Sequence, residues 1–152
     1  MKVYLATDHA GFELKEKTKN HLMEEGFDVQ DCGTFSFDQN DDYPDFVGKA
    51  AEKVSNDPQD SMGIVFGKSG AGEEIVANKF KGVRCVLGFS EENVKLSREH
   101  NDVNVLSLGS QFVDFETTIK LVDIFLKTAF SGDERHVRRI RKITEIEQKN
   151  YA

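Results

Sequence analysis

The chain has 152 residues, of which 38% are hydrophobic and 31% charged. This length predicts a single domain, residues 1–152, with a substantial core, and the composition is that of an ordinary globular protein. The net charge of −7 argues against nucleic acid and anionic membrane surfaces as partners. We expect neither export nor membrane insertion, because the first residues lead directly into an apolar strand.

The two cysteines, Cys32 and Cys85, lie in apolar or strand-like surroundings and lack the spacing of a metal site. We therefore expect both to be reduced thiols of the core. Unpaired buried thiols are typical of a reducing compartment, so the sequence favours a cytoplasmic protein.

Short apolar runs alternate with amphipathic segments along the chain. Strands are predicted at residues 2–7, 27–32, 62–66, 83–88 and 104–108. Helices are predicted at residues 12–25, 44–56, 73–80, 91–99, 115–130 and from 134 to about 150. Five alternations of strand and helix predict a parallel sheet with helices on both faces, that is, an α/β protein of three layers.

A glycine-rich segment, residues 67–72, follows the third predicted strand. Its amides and the start of the next helix could form an anion-binding concavity, and Glu73 follows as a candidate general base. The segment is not a P-loop, because Met62 stands where that motif needs glycine. It is not a dinucleotide fingerprint either, because the third glycine position is Ile75. A tight turn without a ligand is the alternative.

Other polar residues follow predicted strands at the same edge of the sheet. Ligands of doubly wound sheets bind beyond the carboxyl ends of strands. Asp8 and His9 follow the first strand, and Tyr43 ends a long polar loop at residues 33–42. A helix cap with a surface histidine is the alternative for the first pair. His100 ends the fourth helix and so returns toward the opposite edge, where it either caps that helix or serves the site of a neighbouring subunit.

The carboxyl-terminal segment is basic in an otherwise acidic chain. Arg135 and Arg139 are four residues apart and share one helical face, where two guanidinium groups can hold a phosphate. A solvated charged face is the alternative. Ile140, Ile143 and Ile146 form a narrow apolar stripe on the same helix. This helix either docks on its own sheet or reaches onto a partner subunit, most commonly in a two-fold dimer.

The order of these motifs resembles the sugar-phosphate isomerase family that contains ribose-5-phosphate isomerase type B and the galactose-6-phosphate isomerase subunits. The matching segments extend over essentially the whole chain, at residues 6–11, 42–44, 67–72, 77–79, 82–84, 97–102, 109–110, 135–136 and 146–148. The resemblance implies an α/β/α sandwich with the parallel strand order 2-1-3-5-4. It also implies a homodimer or tetramer with active sites built from two chains, and aldose–ketose isomerisation through an enediolate without metal or cofactor.

The resemblance also assigns roles to individual residues. One branch of the family uses a cysteine before the glycine-rich loop as the base and the other uses a glutamate after it. Gly67 occupies the cysteine position, so Glu73 is the expected base. His100 is expected to assist ring opening, and Ser69 to hold the substrate oxygens with the loop amides. The further expected contacts to the sugar and its phosphate are Asp8, His9, Tyr43, Lys68, Gly70, Ala71, Gly72, Asn101, Arg135 and Arg139.

Two residues depart from the family pattern. Lys68 replaces a small loop residue, and Gln111 stands where many members carry an arginine that adds positive charge for the phosphate. The favoured reaction interconverts ribose 5-phosphate and ribulose 5-phosphate. The alternatives are an isomerase of a hexose 6-phosphate, of galactose or allose type, and a non-catalytic sugar-phosphate-binding subunit.

Overall fold

The computed structural model describes residues 1–151, and its centre is a five-stranded parallel sheet. Ala152, the last residue of the predicted domain, lies outside the described residues. The strands are β1 (Lys2–Thr7), β2 (Asp28–Asp31), β3 (Ser61–Gly67), β4 (Cys85–Leu87) and β5 (Val105–Gly109). Their order across the sheet is β2-β1-β3-β5-β4, which confirms the order implied by the resemblance.

Residues 1–151 contain six α-helices, and the first five cover the two faces of the sheet, which confirms the three-layer fold. The six helices are α1 (Phe12–Glu24), α2 (Tyr43–Asn56), α3 (Ala71–Ala77), α4 (Glu91–Asn101), α5 (Phe115–Lys127) and α6 (Glu134–Asn150). Apolar residues of α1, α4 and α5 form the core on one face, and those of α2 and α3 form the core on the other. None of the described helices combines the length and the apolar character that crossing a bilayer requires.

The central strand β3 supplies side chains to both cores. Ile64 and Phe66 belong to the core under α1, α4 and α5, whereas Val65 belongs to the core under α2 and α3. All three are fully buried, as expected for a parallel strand whose side chains alternate between two covered faces. The carboxyl end of β3 is therefore held rigidly at the edge where the glycine-rich loop begins.

Several predicted elements are shorter in the structure, and polar side chains explain two of these differences. Helix α3 ends at Ala77 because the Asn78 side chain bonds to the backbone of Cys85, donating at 2.9 Å and accepting at 2.8 Å. Strand β4 begins only at Cys85, since the amide of Arg84 donates to the Asn104 side chain at 2.7 Å instead of to a neighbouring strand. Such local bonds to side chains compete with regular secondary structure.

Helix α6 contacts its own chain but leaves most of its apolar stripe exposed. The amide of Gly82 donates to Glu147 Oε1 at 2.9 Å, and His136 is buried. Ile143 and Ile146 remain 46% and 61% exposed. Docking on its own domain therefore leaves much of the stripe uncovered, and docking on a partner subunit stays a prediction.

Lys15 fixes the start of the long loop between β2 and α2. It lies within α1, is fully buried, and its Nζ donates to both carboxylate oxygens of Asp31 at 2.7 and 2.8 Å and to the carbonyl of Thr34 at 2.7 Å. Lys19 bonds the same carboxylate at 2.9 Å. Burial acts to raise the pKa of Asp31, but the lysine ammonium groups and the Gly33 amide outweigh it and hold that pKa below its usual range.

Replacing Lys15 by Met should lower the free energy of unfolding by about 3 kcal/mol, the lower end of the cost of breaking a buried pair, because Lys19 still bonds Asp31. The matched control is Lys17→Met in the same helix. Lys17 is 52% exposed and pairs with the exposed Glu13, so its loss should cost about 0.5 kcal/mol or less. Urea unfolding measures both, and equal losses for the two variants would contradict the anchoring role.

Candidate active site

A cavity of about 390 Å³ opens at the carboxyl ends of β1 and β3. These strands are neighbours in the sheet, so the residues that follow them come together. The lining residues are Asp8, His9, Ala10, Tyr43, Lys68, Ser69, Gly72 and Glu73. Seven of these eight were expected from the sequence to contact the substrate, and Ala10 is the additional one. Gly70 and Ala71 belong to the same loop but do not line the cavity.

The carboxylate of Glu73 fills the space that a side chain at position 67 would occupy. A side chain at Gly67 would collide with the carboxylate of Glu73, because a Cβ there would overlap the carboxylate group itself. A cysteine before the loop and a buried glutamate in this orientation are therefore sterically incompatible. This contact gives a physical reason why Glu73 accompanies glycine at position 67.

The carboxylate of Glu73 is suited to accept a proton. The residue is only 3% exposed. Burial raises the pKa of Glu73 above its usual value, the nearby negative charge of Asp8 adds to the rise, and the glutamate's own amide opposes it. Glu74, the next residue, is turned away and accepts a hydrogen bond from the amide of Leu87 at 3.1 Å. Of the two adjacent carboxylates, only Glu73 lines the cavity.

The opposite wall of the cavity is polar as well. Asp8 caps a short 3-10 turn, His9–Gly11, by accepting the amide of Ala10 at 3.0 Å. Tyr43 lies against Gly72, where any side chain would collide with the tyrosine ring. Close approach of Tyr43 therefore requires glycine at this position.

His9 has a partner that the sequence did not indicate. Asp41 Oδ1 lies 2.7 Å from His9 Nδ1 and accepts the backbone amide of His9 at 3.0 Å. This hydrogen bond raises the pKa of His9, burial opposes the rise, and the charges of Asp8, Asp41 and Asp38 add to it. Asp41 is one of four aspartates between residues 38 and 45, and no local pattern separates it from the others.

Asp8, His9 and Asp41 also place possible metal-ligand atoms within 4.8 Å of one another. The 2.7 Å separation of His9 Nδ1 and Asp41 Oδ1 is a hydrogen-bond distance. A shared proton accounts for that contact without a cation.

The remaining predicted site residues lie at the other edge of the sheet. Asn101 ends α4, and its carbonyl accepts Arg84 Nε at 3.0 Å just before β4 begins. The imidazole of His100 stacks on that of His136 in α6, with 4.3 Å between ring centroids. The five residues of β5 separate this edge from the cavity by about 16 Å. One chain therefore does not bring His100 and Asn101 to Glu73.

A basic cluster lies between α4 and α6 and consists of His100, Arg135, His136 and Arg139. Arg135 and Arg139 are exposed on α6 on either side of His136, which is only 5% exposed. Burial lowers the pKa of His136, and the positive charges of His100, Arg135 and Arg139 lower it further. The sequence indicated no role for His136, because its packing partner His100 lies on another helix.

The two departures from the family pattern are neighbours in space. The amide of Gln111 donates to the carbonyl of Lys68 at 3.0 Å. Lys68 is exposed and is the one lysine or arginine among the residues that line the cavity. Its ammonium therefore supplies the one lysine or arginine charge that this chain places at the cavity for an anionic ligand.

A model of the Ribose/Galactose Isomerase family matches residues 3–143. The chain belongs to this family. Ribose-5-phosphate isomerase B of Mycolicibacterium paratuberculosis is 45% identical over 152 residues, which are 100% of this chain and 95% of that protein. The Escherichia coli ribose-5-phosphate isomerase B is 40% identical over 97% of each chain. This confirms the family indicated by the sequence motifs.

Solved structures of the isomerase family have the same fold. Ribose-5-phosphate isomerase B from Mycoplasma genitalium, crystallised with bound ribulose-5-phosphate, superposes with a TM-score of 0.94. It is 44% identical, and the match covers 97% of this chain and 96% of that one. The Clostridium thermocellum isomerase B gives a TM-score of 0.93 at 40% identity, with 100% of both chains covered.

Replacing Gly67 by Ala should expel the Glu73 carboxylate from its buried position and return its pKa toward the usual glutamate value. Gly48→Ala is the control, because a Cβ at Gly48 would meet its nearest neighbour, Phe80, at an ordinary 3.7 Å. Carbon-13 NMR titration of the glutamate carboxyl groups measures the shift. An unchanged pKa of Glu73 in the Gly67 variant would show that the two positions do not compete.

Proposed function

We propose that this protein interconverts ribose 5-phosphate and ribulose 5-phosphate. The observation that carries the proposal is the buried carboxylate of Glu73 in a cavity at the carboxyl ends of β1 and β3. Support comes from relatives named ribose-5-phosphate isomerase B, one of which is 44% identical and holds ribulose-5-phosphate in its crystal structure.

The proposed chemistry is proton transfer between C1 and C2 of the open-chain sugar. Glu73 takes the proton from C2 of the aldose, and the electron pair left behind forms the double bond of an enediolate. Return of the proton to C1, with transfer of the hydroxyl proton from the C2 oxygen to the C1 oxygen, leaves a carbonyl at C2 and gives the ketose, so the reaction is balanced without an oxidant. The raised pKa of Glu73 makes it a stronger base once ionised. Ser69 and Lys68 line the cavity where they can stabilise the developing oxyanion.

We further infer that the site is completed by a second copy of the chain. The cavity contains the carboxylates of Asp8 and Glu73 but the ammonium of Lys68 alone among lysines and arginines, a poor balance for binding a phosphate. The basic cluster of His100, Arg135, His136 and Arg139 lies at the opposite edge of the same chain, where it can serve a partner's cavity. The ring-opening role of His100, the substrate contact of Asn101 and the phosphate contacts of Arg135 and Arg139 are proposed for that shared site.

The surface beside α6 supports such an assembly. A groove of about 640 Å³ lies between α3, β4 and α6, and the exposed Ile143 and Ile146 line it. An apolar groove and stripe of this kind are typical of a surface covered by another subunit. A homodimer, or a tetramer built from dimers, is therefore the proposed assembly.

We also infer a reducing compartment, and hence a cytoplasmic location, from the two cysteines. Cys32 and Cys85 are buried free thiols. Burial raises the pKa of both thiols, most strongly that of Cys85, so neither is suited to act as the base in place of Glu73.

Replacing Glu73 by Gln should lower kcat by at least about 10²-fold, because the amide cannot take the proton from C2. The neighbouring Glu74→Gln is the matched control. It keeps an oxygen for the amide of Leu87 and should leave kcat within about two-fold of wild type. Formation of ribulose 5-phosphate measures turnover. Near-normal activity of the Glu73 variant would refute the base assignment.

The same assay separates the substrates if it is run on five- and six-carbon aldose phosphates. A hexose 6-phosphate is the second candidate, because Lys68 adds a cation at the cavity and Gln111, whose amide bonds the Lys68 carbonyl, replaces an arginine of the family pattern. A higher kcat/KM for a hexose 6-phosphate than for ribose 5-phosphate would replace the proposed substrate. Absence of turnover with every sugar phosphate would favour the binding-subunit alternative.

Mixing inactive Glu73→Gln chains with inactive His100→Ala chains should restore activity if the site is shared. Random pairing makes half of the dimers mixed, and each mixed dimer contains one intact site of two, so about a quarter of wild-type activity is expected. Native mass spectrometry checks that mixed dimers form. Mixed dimers without activity would place His100 outside the partner's site.

A further inference from the structure

The long loop between β2 and α2 ends in a contact that the proposed reaction does not yet use. Asp41 lies two residues before Tyr43, and its Oδ1 accepts two hydrogen bonds from His9. One comes from the backbone amide at 3.0 Å and the other involves ring Nδ1 at 2.7 Å. The first fixes the carboxylate relative to the backbone of the turn after β1. The second fixes the plane of the imidazole.

Asp41 is more enclosed than the histidine that it holds. Its side chain is 8% exposed, whereas that of His9 is 31% exposed. Among residues 1–151, His9 is the one basic group recorded in an ion pair with Asp41. The second carboxylate oxygen, Oδ2, is buried and has no hydrogen-bond partner within those residues. A carboxylate so enclosed is costly to keep ionised unless its neighbour carries positive charge.

We propose that Asp41 is a positioning residue, which holds the His9 ring through Nδ1 so that the remaining nitrogen, Nε2, is free to bond an anionic oxygen of the sugar phosphate. This inference rests on the proposed function, because it assumes that the cavity lined by His9 receives that substrate. His9 lines the cavity together with Asp8, Lys68 and Glu73. With Nδ1 occupied by Asp41, Nε2 is the ring atom left for a ligand.

The surroundings favour the protonated, donating form of His9. Asp41 contributes most through the hydrogen bond, Asp8 Oδ2 lies 4.0 Å from Nδ1, and Asp38 adds a more distant negative charge. The Phe37 ring meets the imidazole edge-on, with 5.9 Å between centroids, and Lys68 is the lysine that shares the cavity. Because the pKa of His9 is raised, the imidazolium persists to higher pH than in an ordinary histidine and is lost only as the pH rises through that pKa.

A purely structural role for Asp41 predicts different behaviour. Asp41 also bonds the His9 amide, so its removal could simply loosen the loop. Asp41→Asn removes the charge but keeps an oxygen that can accept both hydrogen bonds. Asp41→Ala removes the charge and the oxygen together. Asp42→Asn removes one charge from the adjacent, exposed residue and serves as the control.

The test combines turnover of ribose 5-phosphate with nitrogen-15 NMR titration of the His9 ring in the full-length protein. Asp41→Asn should lower kcat/KM by about 10-fold, the loss expected for one hydrogen bond to a charged group, while its melting temperature stays near that of wild type. The His9 pKa should fall, and the alkaline limb of the kcat/KM profile should move to lower pH with it. Asp41→Ala should also lose the Nδ1-bonded signature of the ring, and Asp42→Asn should change none of these quantities.

The outcomes separate this inference from the proposed function. If wild type turns over ribose 5-phosphate and Asp41→Asn leaves both kcat/KM and the His9 pKa unchanged, the positioning role is wrong. Equal losses in the Asp41 and Asp42 variants would also overturn it, because they would reflect only the charge of the loop. If wild type does not act on ribose 5-phosphate, the proposed function fails, and the NMR titration still shows whether Asp41 controls His9.

Discussion

The close approach of the Glu73 carboxylate to Gly67 is the constraint on which the cavity depends. Gly67 is the last residue of the fully buried strand β3, so its backbone cannot move aside. Glu73 lies in the first turn of α3, and its carboxylate points back onto Gly67, where it is removed from water. The rigid strand thus holds the carboxylate in an enclosed place, and enclosure raises its pKa. The position, the burial and the raised pKa of Glu73 all follow from its contact with Gly67.

The sheet order brings the other wall of the cavity to this carboxylate. Because β1 and β3 are adjacent and parallel, Asp8 and His9 emerge beside Gly67 at the same edge. The loop after β2 is fixed at its start by the buried Lys15 and at its end by Asp41. Its two anchors are both charged groups in enclosed surroundings, whereas its phenylalanines, Phe35 and Phe37, are largely exposed, so polar contacts hold the loop. Tyr43 enters the cavity at the point where this loop becomes α2.

The sequence predicts well those features that depend on neighbouring residues. β1 has the predicted bounds, Lys2–Thr7, because a short apolar run between polar residues determines them. Placement of the glycine-rich loop at a strand end follows from the same local pattern. The sequence does not single out Asp41 and Lys15, because each lies among other charged residues and its partner is far along the chain. Their burial depends on tertiary contacts, which hydrophobic periodicity does not encode.

The distribution of charge supports the proposal that a second copy of the chain completes the site. The protein carries a net charge of −7, and its cavity places two carboxylates beside a single lysine. Its histidine–arginine cluster between α4 and α6 lies at the other edge, with the half-exposed apolar stripe of the same helix next to it. A two-fold assembly that covers the stripe would also carry the cluster of each chain toward another copy. The same contact would then bury apolar surface and supply the positive charge that a sugar phosphate requires, so assembly and substrate binding would share one cause.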